Sequence, residues 1–171
     1  ELGRKGKNRI MMVHEEKKDM ENKRREPGFE TECKGSGIMV SVCCITYNQV
    51  SYIRDALEGF VNQQTDFAYE VLIHDDASSD GTAEIIREYA ERYPDRIFSI
   101  LQTENQYSKG LTNVSGTFNF PRARGKYIAM CEGDDYWTDM HKLQNRWITW
   151  KRIRAVLFVS TAQRSRCRER H

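Results

Sequence analysis

From Ile38 to Trp150 the chain alternates short apolar runs with longer stretches in which apolar residues recur every three or four positions. Ile38–Ile45 reads Ile-Met-Val-Ser-Val-Cys-Cys-Ile. It is nearly continuous in apolar residues and β-branched at several places, the signature of a strand buried on both faces of a parallel sheet. Tyr69–His74, Ile97–Leu101 and Lys126–Cys131 repeat the pattern and predict three more strands. Ile53, Leu57, Phe60 and Val61 share one face of a predicted helix over 51–64, with Ser51 as its N-cap. Ile85, Ile86, Tyr89 and Ala90 do the same for a helix over 82–93, which Pro94 ends. Leu143, Trp147 and Trp150 mark a third helix over 139–150, capped by Asp139. The polar stretch 102–120 predicts loop with a short irregular helix. Strands and helices alternating at these lengths imply βαβ units, parallel strands and right-handed crossovers.

The flanks differ in character. Residues 1–37 are dominated by Lys, Arg and Glu, with Pro27-Gly28 and Gly35-Ser36-Gly37 as punctuation. They predict a charged, flexible extension in which 10–25 could form a short polar helix. After Trp150 the periodicity weakens. Ala155–Val159 could add a fifth strand, and the rest of 151–171 is an Arg-rich tail. The expected organisation is one α/β domain over 38–150 between these two segments.

Charge follows the same division. The segment 38–150 carries 10 Lys/Arg against 16 Asp/Glu, and 151–171 carries 7 against one, so the net charge of +2 hides an acidic core and a basic tail. The acidic core argues against nucleic acid as the main partner. Of the five cysteines, Cys43, Cys44 and Cys131 sit inside apolar runs and show no metal-site spacing, which favours thiols in a reducing compartment. No apolar run approaches the roughly 20 residues of a membrane helix. The expected location is cytoplasmic, free or peripheral at the inner face of the membrane.

The candidate chemistry lies in three polar loops, each directly after a predicted strand. Thr46-Tyr47-Asn48 offers a hydroxyl, an aromatic face and an amide; it reads equally as a turn or as a ligand for a base and its sugar. Asp75–Thr82 reads in part as a capped loop, with Asp80 or Thr82 at the helix start and Gly81 in the turn. One helix needs one cap, so Asp75-Asp76 is left over and could accept hydrogen bonds from a nucleobase or ribose. Glu132-Gly133-Asp134-Asp135 bunches three carboxylates that repel one another, which a divalent cation would relieve; oxygen donors suit Mg²⁺ or Mn²⁺. Arg122, Arg124 and Lys126 lie just upstream, where one of them could face phosphates. His74 reads as a hydrogen-bonded structural histidine.

These blocks, Val42–Asn48, His74–Thr82 and Gly125–Trp137, closely resemble the pattern of glycosyltransferase family 2. The resemblance implies the GT-A fold, a Rossmann-like, mostly parallel sheet flanked by helices. It implies sugar transfer from a nucleotide-diphosphate sugar, expected to be UDP-linked, to an acceptor hydroxyl of a glycan or lipid-linked acceptor, with inversion, in polysaccharide or glycoconjugate synthesis. By position, Thr46, Tyr47, Asn48, Asp76, Ser78 and Arg124 are the implied nucleotide ligands. Asp134, Glu132 and Asp135 are the implied metal ligands, with Glu132 standing where the family's Asp-x-Asp motif begins with Asp. The family's catalytic base and acceptor site come after the metal motif. From Lys151 the sequence no longer reads as the family's, so the expectation is a donor half, incomplete at the C-terminal side and without its base. Two other readings stay open: a non-catalytic nucleotide-binding module, and a sugar nucleotidyltransferase, for which the Gly-rich phosphate loop is missing.

Overall fold

The computed structural model describes residues 12–13 and 37–152. The elements are β1 (Met12–Val13), β2 (Ile38–Thr46), α1 (Ile53–Val61), β3 (Ala68–Asp75), α2 (Thr82–Arg92), β4 (Ile97–Leu101) and β5 (Tyr127–Glu132). A further helix, α3, runs over 142–152. The sheet order is β1-β5-β2-β3-β4. β5, β2, β3 and β4 are parallel, and β1 pairs antiparallel with β5 through Met12↔Ala129 and Val13↔Ile128. Met12–Val13 is therefore extended, where the sequence allowed a helix. The strand expected at 155–159 lies outside the described residues.

The period-two alternation of β2 sorts its side chains onto two covered faces. Val40, Val42 and Cys44 join Val71 and Ile73 of β3 and Ala129 of β5 under Leu57 and Phe60 of α1, Ile86 and Tyr89 of α2 and Leu143 and Trp147 of α3. Cys43, Leu72 and Ile128 face the other way, under Phe98, Phe120 and Ala123. The irregular segment that covers this second face is a π turn at Ser115–Asn119 followed by a 3₁₀ turn at Phe120–Arg122.

Two helix starts differ from expectation, one opened by a backbone turn and the other set by a tertiary contact. No side chain caps α1, which begins at Ile53 and not at Ser51; the Tyr52 and Ile53 N–H groups donate to the Gln49 carbonyl instead. At α3 the Asp139 carboxylate accepts from the His141 N–H at 2.8 Å, and the Gln63 amide oxygen from the Leu143 N–H at 2.9 Å. Gln63 also donates to the Asp139 carbonyl at 2.8 Å. The end of α1 thus fixes where α3 begins.

His74 is fully buried and stacks on Phe118 with ring centroids 4.5 Å apart. Its Nε2 lies 3.2 Å from the Gln102 amide nitrogen. Burial lowers the His74 pKa below its ordinary 6.5, against the opposing pull of Asp76 and Asp75 and reinforced by Arg122. The unfolded chain therefore takes up a proton that the folded chain refuses. The stability His74 contributes is complete above about pH 6.5 and is lost as pH falls below it, by at most about 1.4 kcal/mol per pH unit. Urea denaturation between about pH 7.5 and 5.5 should show wild type losing stability and His74→Gln losing less.

Candidate functional site

Three loops leave the same edge of the sheet. Thr46 pairs with Asp75 and Ile45 with Glu132, so β2, β3 and β5 end side by side. From β2 the chain crosses to β3 on one side, while β5 lies on the other. The strand order thus reverses at β2, and open α/β sheets bind ligands at the carboxyl end of such a switch point. A cleft of about 440 Å³ opens there, lined from β2 and its loop by Ile45, Thr46, Tyr47 and Gln49, and elsewhere by Asp76, Tyr107 and Glu132 among others.

The first two loops are stitched together. The Asn48 N–H donates to Ser78 Oγ at 2.8 Å, and the Ser79 N–H returns to Asn48 Oδ1 at 2.9 Å. The Gln49 N–H donates to Thr82 Oγ1 at 2.9 Å and the Val50 N–H to Asp80 Oδ2 at 3.0 Å. Asp80 also accepts from the Thr82 N–H at 3.0 Å, the helix-start role expected of it. Asn48 sits at φ +51°, a left-handed conformation that asparagine tolerates better than most residues. Ser78 further donates its hydroxyl to Asp75. Asn48 and Ser78 therefore hold the two loops in register and lie off the wall of the cleft, unlike Thr46, Tyr47 and Asp76.

Asp76 is 5% exposed, yet it belongs to no helix cap. Its Oδ1 accepts from the Gln106 N–H at 2.8 Å and its Oδ2 from the Tyr107 N–H at 3.0 Å. Two of its lone pairs are thus taken by the turn after β4, and a carboxylate has about four.

The acidic loop is held from beneath. The Gly133 N–H extends the ladder to the Ile45 carbonyl at 3.0 Å, and the Asp135 N–H closes a turn on the Glu132 carbonyl at 3.1 Å. A Cβ at Gly133 would stand 2.8 Å from Thr46 Cβ and 2.4 Å from Gln49 Oε1, so only glycine lets the loop settle here. Gly59 of α1 does the same from the far side, where a Cβ would meet the Trp137 backbone nitrogen at 2.9 Å. Glu132 and Asp134 remain exposed. Among the described residues no three His, Cys, Asp or Glu side chains converge as a metal-holding group. The expected set of Glu132, Asp134 and Asp135 is therefore not preassembled, because the chain turns between its members. Cys44 and Cys131 lie below. Burial first, and nearby acidic and thiol groups second, push the Cys44 thiol well up, and burial raises Cys131 to about 12. Thr46 Oγ1 and Gln49 Oε1 are buried against Gly133 without a hydrogen-bond partner.

Arg124 is not at this edge. Its guanidinium pairs at 2.7 Å with Glu70, a 1% exposed residue near the start of β3, and lies 4.7 Å from the Phe98 ring centroid. A carboxylate buried in the second face needs a cation there, and Arg124 supplies it. Arg122 is likewise committed to the Ile73 carbonyl at 2.8 Å. The cleft residues that sequence reasoning passed over are Gln49, Asn105, Tyr107, Ser108 and Val114. One signal pointed to the 105–108 group: β4 neighbours β3, so the loop after β4 has to emerge beside Asp76.

A parallel sheet with a cleft at its switch point and carboxylates on the rim is the arrangement in which open α/β folds place a ligand site. Residues 41–169 match the family model Glycosyl transferase family 2, and the chain belongs to that family. The match continues past Lys151, where the sequence alone no longer read as the family's. The chain is 49% identical over 111 residues to an uncharacterised protein of Mycobacterium tuberculosis, covering 63% of this chain and 30% of that protein. It is 33% identical over 99 residues to the teichuronic acid biosynthesis glycosyltransferase TuaG of Bacillus subtilis, covering 58% and 37%. Among solved structures it resembles the mannosyltransferase PcManGT from Pyrobaculum calidifontis, in complex with GDP-Man and Mn²⁺, at 28% identity and a TM-score of 0.50, covering 59% of this chain and 29% of that one. It also shares its fold with TarS of S. aureus, at 24% identity and a TM-score of 0.51, covering 65% and 19%. The fold is thus the GT-A, Rossmann-like fold. The chain spans about a third of the length of the curated relatives it matches.

Gly133→Ala should force Thr46 and the acidic loop apart. The expected loss is about 1–3 kcal/mol, as for other overpacked sites, read as a lower thermal unfolding midpoint.

Proposed function

We propose that this chain binds the donor of a sugar transfer, a nucleoside-diphosphate sugar of the UDP type, together with a divalent cation. The observation that carries the reading is the charge of the cleft. Among the described residues lining it, Asp76 and Glu132 are acidic and none is Lys or Arg. A diphosphate cannot settle against such a wall unless a cation stands between them. The donor set suits Mg²⁺ or Mn²⁺: exposed carboxylates at Glu132 and Asp134, unpartnered buried oxygens at Thr46 and Gln49, and a glycine that keeps the space between them open. Mg²⁺ is commonly held by one or two carboxylates with substrate phosphates and waters completing its shell, so three converging side chains are not required. Bound there, the ion would supply Lewis-acid stabilisation of the departing diphosphate.

The chain's own residues then divide the work. Glu132 and Asp134 hold the ion, with Asp135 beside them. Asp76 uses its remaining lone pairs to accept from a nucleobase N–H, and Tyr47, half exposed on the wall, offers its ring to the base. Attack of an acceptor hydroxyl on the anomeric carbon, opposite the leaving diphosphate, would invert that centre. The complex of PcManGT with GDP-Man and Mn²⁺ supports a metal-assisted nucleotide sugar, and the name of TuaG supports an acceptor in polysaccharide synthesis. Buried thiols at Cys43, Cys44 and Cys131 suit the reducing, cytoplasmic side of a membrane, where we place the reaction. Among the described residues no helix is long and apolar enough to cross a membrane.

Titration calorimetry tests the reading. UDP should bind with Mn²⁺ present and far more weakly in chelator; equal affinity in both would remove the ion from the site. Asp134→Ala should abolish the difference between the two conditions, and an unchanged Mn²⁺ response would move the ion elsewhere.

A further inference from the structure

The turn after β4 has no part in the functional reading so far, yet it is built with care and built on Asp76. The Asn105 amide donates to the Asp76 carbonyl at 3.1 Å, while the Gln106 and Tyr107 N–H groups take one carboxylate oxygen each. Within the turn the Ser108 N–H donates to Asn105 Oδ1 at 2.7 Å, and the Leu111 N–H to the Gln106 carbonyl at 3.1 Å. So anchored, the turn carries Tyr107 on the cleft wall with 67% of its surface exposed. A large aromatic held that far out of the core gains nothing from folding; its ring is available to a ligand. The sheet order adds a second constraint. Tyr47 follows β2, Tyr107 follows the turn after β4, and β3, which ends at Asp75 and leads into Asp76, lies between them. Both tyrosines and Asp76 line the same cleft.

We infer that Tyr107 is the second wall of a nucleobase slot whose first wall is Tyr47 and whose floor is Asp76. This rests on the nucleotide reading above and extends it to a residue outside the three sequence blocks. Asp76 serves two partners at once. Its carboxylate fixes the turn that presents Tyr107, and its remaining lone pairs accept from a ring N–H of the base. Ring stacking is tolerant of base identity, so Tyr107 sets how much the base contributes to affinity, while Asp76 reads the hydrogen-bonding edge.

The test compares two probes, UDP and inorganic pyrophosphate, each with Mn²⁺, binding to wild type, Tyr107→Ala and Tyr107→Phe by titration calorimetry. Tyr107→Ala should weaken UDP about ten- to a hundred-fold, the range for losing one base–aromatic stack, and leave pyrophosphate unchanged. Tyr107→Phe keeps the ring and should keep UDP affinity. If wild type binds UDP and Tyr107→Ala binds it equally well, the turn is not a wall of the slot and the inference is wrong. A parallel loss of pyrophosphate binding would put Tyr107 at the phosphates and equally overturn it. Failure of wild type to bind UDP would overturn the nucleotide reading itself, and this inference with it.

Discussion

The parallel pairing of β2 with β3 on one side and with β5 on the other is the constraint on which the rest depends. It brings Thr46, Asp75 and Glu132 to one edge although 29 and 86 positions of sequence separate the later two from the first. No loop could gather these groups without it. The pairing also explains why Gly133 has to be glycine. Its N–H continues the β2–β5 ladder to the Ile45 carbonyl, so the acidic turn begins one residue after the strand and directly over Thr46 and Gln49. Registry in the sheet thereby becomes position at the rim, and carboxylates that would otherwise swing freely are tied to a rigid edge.

Charge is segregated by the same sheet. Glu70 and Arg124 neutralise one another near the start of β3, where Ser41 also donates to Glu70 at 2.7 Å and the Gly125 N–H to Ser41 at 2.9 Å. That network consumes the basic side chain that sequence position would have lent to phosphates. At the opposite edge the acidic groups are left without a basic partner among the residues lining the cleft. One pairing is thus complete within the chain, and the other is open to a cation from outside it.

Much of the fold was legible because it is written in local pattern. The strand beginning at Ile38, those at Tyr69 and Ile97 and that before Glu132 fall within a residue or so of expectation, since each is a short apolar run bounded by polar turns. What was not legible depends on distant partners. Ser51 has the chemistry of a cap, but Val50 is already tied to Asp80 and the turn onto Gln49 starts the helix. Asp139 has cap chemistry too, yet α3 begins where Gln63 meets Leu143. Arg124 looked free in sequence because Glu70, 54 positions away, looked like any strand residue. At the candidate site, the same blindness hid the bonds by which Asn48 ties its loop to Ser78 and Ser79.

Asp76 shows how a single residue can resist both readings. At the start of α2 it is Asp80 that takes the Thr82 N–H, so Asp76 is left over from the local structure. Being surplus does not make it idle before a ligand arrives. A buried carboxylate with no donors would carry a heavy desolvation cost, and the turn after β4 removes that cost with two backbone N–H groups. The same two bonds leave acceptor capacity facing the cleft. Preorganisation of this kind keeps a carboxylate aimed while it waits, so that a ligand N–H replaces water and does not have to build the site.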